Sequence, residues 1–210
     1  MKGLFYKEAR CLWQYGKSYI LLVVIFFGLA FLNGGSEGAN PLWLLYPVFF
    51  VGSLPASLLS ADEKDGWLTY CDTLPIGRRQ IVAVKYVASA ALTAAIVVLA
   101  LLIGALAGRF AVTGGAAAPL PMLVPLLLAV GLGVPALMYP VMFRFGATKG
   151  RAVYMAVVMV AAATCAVLMT SESVSGALDA LPILPVIVAA AAVFIGSWAL
   201  SVKWFEGREL

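Results

Sequence analysis

The chain has 210 residues, of which 63% are hydrophobic and 11% charged, with a mean hydropathy of +1.02. A soluble domain is roughly 45–50% apolar and about 25% charged, so this composition excludes a water-soluble globule and leaves an integral membrane protein. The formal charge of +4 then marks the side of a membrane rather than a nucleic-acid partner, and the absence of histidine removes the commonest general base, the commonest metal ligand and any Ser-His-Asp arrangement.

Residues 1–18 come first. At about 100° per residue, Phe5, Tyr6, Ala9, Leu12 and Trp13 share one helical face and Lys7, Arg10, Gln14 and Lys17 the other. The pattern predicts an amphipathic helix lying in the membrane interface, anchored by Trp13 and Tyr15. A cleaved signal peptide fits poorly, because its basic region would be long and would hold Glu8, Trp13 and Tyr15.

Six apolar runs follow: Tyr19–Leu32, Pro41–Ser60, Ile81–Gly108, Leu120–Phe143, Ala152–Thr170 and Leu181–Val202. A helix of about 20 apolar residues crosses the hydrocarbon, so the reading is an all-α membrane protein with six spans in a single domain, 1–210. With the N-terminus in the cytoplasm, alternation puts 13 of the 14 basic residues inside and only Arg109 outside. That asymmetry is what the positive-inside rule requires, and it sets both termini in the cytoplasm.

Between the second and third runs lies a charged, aromatic stretch, "LLSADEKDGWLTYCDTLPIGRRQIVAVKY". It is expected to be a cytoplasmic loop over residues 61–80 that carries a short amphipathic helix. Asp62 would cap the helix, Trp67, Tyr70, Cys71 and Leu74 would line one side, and Pro75 would stop it. The acids Asp62, Glu63, Asp65 and Asp72 would face water. Three readings stay open for this knot: a solvated helix face, a partner-docking surface, or a Mg²⁺-binding acidic site of a lipid enzyme. The acid spacing fits no metal motif, and Lys64 interrupts it.

The remaining signals are sparse. The second cytoplasmic loop, "FRFGATKGRAVY", is short and basic, with Arg144 between Phe143 and Phe145 and with Gly146 and Gly150 for tight turns. Pro47, Pro55, Pro125, Pro135 and Pro140 fall inside the runs and predict kinks. Lys85 lies near enough to the inner boundary to snorkel, and no span is read as carrying a buried acid, which argues against an ion-coupled transporter. Cys11, Cys71 and Cys165 are isolated and read as small apolar-tolerant residues.

Glu63, Gly66, Trp67, Leu74, Pro75, Ile76, Arg78, Lys85 and Tyr86 form a pattern: Glu-x-x-x-Gly-Trp, then Leu-Pro-Ile-x-Arg, then Lys-Tyr entering the third span. With the basic N-terminal helix, "YPVMFRFGATKGR" and "SVKWFEGREL", this layout resembles the permease subunits of small bacterial type-2 ATP-binding-cassette (ABC) exporters. The resemblance implies a bacterial cytoplasmic-membrane subunit that forms a translocation path with a second permease, as a homodimer or heterodimer. Two copies of a separate ABC ATPase would drive it, holding ATP and Mg²⁺, with no cofactor or metal on this chain. It also implies that the first cytoplasmic loop carries a coupling helix, with Glu63, Lys64, Asp65, Gly66, Trp67, Tyr70, Leu74 and Pro75 as the ATPase contacts. Arg144, Phe145 and Gly146 mark the second loop, and Arg78 and Arg79 are expected at the headgroups. No GxxxxGK[ST] motif occurs, so no ATPase activity of its own is expected. The cargo would be amphipathic or hydrophobic: a peptide, a drug or a lipid-like molecule. The alternative is a membrane-embedded lipid-modifying enzyme using the Asp62–Asp72 acids.

Overall fold

Lipid offers no partner for a free backbone amide or carbonyl, so an apolar chain crosses it as helix. The structure is a computed structural model that describes residues 2–33, 42–71, 73, 77–110, 120–146, 149–150, 152–153, 155–156, 159 and 183–207. Its long helices are α1 (Lys2–Asn33), α2 (Leu42–Lys64), α4 (Arg78–Phe110), α5 (Leu120–Phe145) and α6 (Ile183–Glu206), with a five-residue α3 (Trp67–Cys71) between α2 and α4. No strand occurs among the described residues. Among the described residues five segments are long and apolar enough to span a bilayer: Gly3–Ala30, Leu44–Lys64, Arg78–Leu106, Leu123–Phe145 and Leu184–Glu206. The expected span 152–170 lies almost wholly outside the described residues.

α1 packs on α2 and α4, α5 joins α2, α4 and α6, and α4 also touches α6. α1 and α4 begin where α2, α5 and α6 finish, as the contacts Lys85–Glu8, Lys85–Asp62 and Arg78–Phe205 require. That end carries Lys7, Lys64, Arg78, Arg79, Arg144 and Lys203 and is called the basic end below.

Two expectations about the N-terminal half are corrected. Residues 1–18 are not a separate interfacial helix, because α1 runs unbroken from Lys2 to Asn33. No proline interrupts it, so the helix of the span continues into its basic flank. The connection after α2 is also shorter than expected. Asp62 and Glu63 belong to α2, which runs to Lys64, and α4 starts at Arg78, with the short α3 between them. Gly66, at φ 67°, ends the run in the left-handed region that glycine adopts without strain.

The helices pass through their prolines, which lie inside α2 (Pro47, Pro55) and α5 (Pro125, Pro135, Pro140). A proline has no N–H, so the carbonyl four residues earlier loses its helical partner. For Pro135 and Pro140 those carbonyls belong to Gly131 and Ala136. Thr93 of α4 donates its hydroxyl to Gly131 O at 3.0 Å, and Ser197 of α6 donates to Ala136 O at 2.5 Å. Two vacancies in α5 thus become bonds to its two neighbours. A Cβ on Gly131 would lie 2.5 Å from Thr93 Cγ2 and 3.1 Å from Val48 Cγ1, so only glycine lets the three helices approach this closely.

Among the described residues most buried apolar side chains gather in two clusters. One, at the basic end, includes Leu59, Leu68, Ile81, Tyr86, Tyr139, Met142, Phe143 and Phe205. The other, at the far end, includes Phe27, Leu44, Val48, Val51, Ile96, Val97 and Leu127.

Candidate functional site

The chemistry of the chain concentrates at the basic end, where α1, α2 and α4 meet. Lys85 is seven residues into α4, about 10 Å along its axis, and its side chain is only 2% exposed. Its ammonium is 2.9 Å from Glu8 Oε1 on α1 and 2.5 Å from Asp62 Oδ2 on α2. Lys7 pairs with Asp62 Oδ1 and lies 3.7 Å from Glu8 Oε1. Two cations therefore face two anions, and three of the four groups are buried. Such a cluster is tolerable away from water because every charge is paired.

This cluster corrects three expectations. Lys85 does not snorkel to the boundary. Asp62 is not a water-facing cap of the loop helix; it lies in α2 with both oxygens engaged by lysines. The candidate spans do carry buried acids, Glu8 and Asp62, at their basic ends and matched by lysines. The outward face of α1 also changes the reading of residues 1–18. Phe5, Tyr6, Trp13 and Tyr15 are exposed, while Leu4 and Glu8 turn inward.

A hydroxyl ladder continues inward from Lys85. Ser89 donates to Lys85 O at 2.7 Å, so the Tyr139 hydroxyl, 2.7 Å from Ser89 Oγ and 3.3 Å from Lys85 O, supplies the proton of that contact. Ser197 spends its proton on Ala136 O, so Tyr86 donates to Ser197 and accepts from Ser201, each at 2.7 Å. The ladder binds α4 to α5 and α6.

The loop residues sit directly on this frame. Trp67 is half-buried against the basic-end cluster, and the Lys7 ammonium lies 4.8 Å from its ring centroid. Leu68 and Cys71 are the buried side of α3. Tyr70, expected on that side, is 55% exposed with its ring 5.7 Å from Trp67. Lys64, Asp65 and Gly66 are exposed and Glu63 is half-buried. Asp72, Leu74, Pro75 and Ile76 lie outside the described residues.

The remaining basic groups meet aromatic rings and carbonyls. Arg78 donates to Phe205 O at 3.1 Å and Glu206 O at 3.4 Å, closing the carbonyl end of α6. Arg79 covers Trp198 at 5.3 Å. Arg144 sits between Phe145 and Trp204, at 5.2 and 4.8 Å, and Gly146 turns the chain after α5 at φ 82°.

The sequence as a whole matches the family described as ABC-2 family transporter protein, over residues 3–206. The chain belongs to the ABC-2 transporter family. No curated protein and no solved structure matches it. As an ABC-2 permease it is a multi-pass membrane component of an ABC transporter, a transport subunit of a family that is generally not enzymatic, and membership implies partnering with an ATPase subunit. Against the lipid-enzyme alternative, Asp62 is committed to two lysines.

The residues that sequence reasoning missed are Glu8 as an ion partner, Thr93, Tyr139, Ser197 and Ser201. A signal was present. Lys85, Ser89 and Thr93 recur every four residues along an apolar helix, and Ser197 and Ser201 do the same.

Proposed function

We propose that this ABC-2 permease is the membrane subunit of an exporter for amphipathic or hydrophobic molecules. A separate ATPase, carrying ATP and Mg²⁺, docks on the α2–α3 corner. Both termini and that corner face the cytoplasm of a bacterial cell, and a second permease, identical or related, completes the path. One observation carries the docking surface. Trp67 and Tyr70 form an aromatic pair at a corner that also exposes Lys64 and Asp65, and Trp67 rests on the frame tying α1, α2 and α4. Aromatic anchors ringed by charge are the composition of a protein-binding hot spot. The apolar cargo is supported by a 540 Å³ groove between α1, α2 and α4, lined by Leu12, Trp13, Tyr19, Val51 and Ile96 among others.

The test is co-purification of the permease with its cognate ABC ATPase and measurement of ATP turnover in liposomes. Trp67→Ala should weaken the complex by about 2 kcal/mol or more, roughly thirty-fold, with normal membrane insertion. Unchanged affinity and turnover in a Trp67→Ala, Tyr70→Ala double variant would remove the corner from the interface.

A further inference from the structure

α3 has five residues, too few to hold itself helical. The orientation of Trp67 must therefore come from what α3 and the ring touch: Leu68 and Cys71 are buried beneath it, and the ring packs against the basic-end cluster. The charged part of the frame reaches the ring through one side chain. The Lys7 ammonium lies 4.8 Å from the Trp67 ring centroid and also pairs with Asp62. Asp62 holds Lys85, and Lys85 holds Glu8. Lys7 is the member of this series with water access, its side chain being 22% exposed.

We propose that Lys7 is the positioning residue for Trp67, and that the N-terminal helix is thereby part of the lever through which the ATPase works the permease. The proposal rests on the docking reading above and says how the docked corner is held. A buried charge cannot leave its partner without losing compensation for its desolvation. A force on Trp67 transmitted through Lys7 therefore moves α1, α2 and α4 together instead of bending the short connection between α2 and α4. Without the ammonium, the aromatic pair keeps its surface but loses its orientation. The ATPase still binds, and its stroke is spent in the turn.

The experiment compares Lys7→Met, Lys7→Arg and Trp67→Ala permeases, each reconstituted with the ATPase, scoring complex formation, ATP turnover and cargo movement separately. Lys7→Met should copurify with the ATPase at wild-type yield yet move at least five-fold less cargo per ATP. Lys7→Arg keeps the charge and stacks on the ring, so it should stay within two-fold of wild type. In the Trp67→Ala background, Lys7→Met should add no further loss. Normal cargo per ATP in Lys7→Met, beside a defective Trp67→Ala, overturns the proposal and leaves the docking reading standing. A Trp67→Ala permease that binds and transports normally removes both. Failure of Lys7→Met to insert into membranes would make Lys7 a folding residue and equally overturn the proposal.

Discussion

The two ends of the bundle are held by different physics. At the basic end the helices are joined by ion pairs and by hydroxyl bonds that specify partners: Lys85 with Glu8 and Asp62, Tyr86 with Ser197 and Ser201, Tyr139 with Ser89. The far cluster gathers Phe27, Ala30, Leu44, Val48, Val51, Ile96, Val97, Ala100, Leu123 and Leu127, with the Thr93–Gly131 bond at its edge beside Val48. In lipid, apolar contact between helices gains little over contact with acyl chains, so polar bonds and close backbone approach decide which faces meet. The basic end is thus fixed in register, whereas the described contacts of the far cluster are apolar and should repack at lower cost.

Breaking this contrast is easiest at Lys85. Lys85→Met leaves Glu8 and Asp62 as buried anions short of a partner, and removing one member of a buried pair costs about 3–5 kcal/mol. Unfolding titrations in mixed micelles should show a loss of that size. The neutral quadruple variant Lys7→Met, Glu8→Gln, Asp62→Asn, Lys85→Met should recover most of it, because no lone charge remains. A quadruple variant no better than Lys85→Met alone would mean that packing, not charge balance, holds this end together.

How much of this could be seen in the sequence depends on the range of the interaction. The helices were legible because span length and apolar character are local. Five expected runs reappear as helices extended by a few residues, except α1, which absorbs the expected interfacial helix. The ion cluster was not legible, because Lys85 lies 77 positions from Glu8 and 23 from Asp62, and spacing carries no record of which helices become neighbours. For the same reason Lys85 read as a boundary lysine and Asp62 as a loop cap. Between these cases lie the prolines. The vacancies at Gly131 and Ala136 follow from Pro135 and Pro140 by counting back four residues, but the donors Thr93 and Ser197 become evident only once α4 and α6 are beside α5.

Those vacancies give a second, smaller effect, midway between the ends. Thr93→Val keeps the shape of the side chain and removes the donor to Gly131 O. The expected cost is about 0.6 kcal/mol, the average for hydrogen bonds between membrane helices, and at most about 1.7 kcal/mol. Restoring the backbone N–H with Pro135→Ala should make Thr93→Val nearly silent, since Gly131 O then has its own helical partner. An equal cost in both backgrounds would show that Thr93 contributes by filling space beside Gly131, not by its hydroxyl.

The smallest effect sharpens the comparison at its far side. Leu127 and Leu59 are both fully buried, one in each cluster. Leu→Met conserves volume and usually costs less than about 1.5 kcal/mol, the value depending on how freely the surroundings adjust. Around Leu59 the neighbouring helices are fixed by the ion pairs and hydroxyl bonds, so a flexible side chain must fit a rigid socket. Leu127 belongs to the far, apolar cluster, whose members are expected to shift with the new side chain. Leu127→Met should therefore be the milder of the two in the same micellar titration. If Leu59→Met proves equally mild, the basic end is no stiffer than the far end, and the polar bonds select neighbours without tightening their packing.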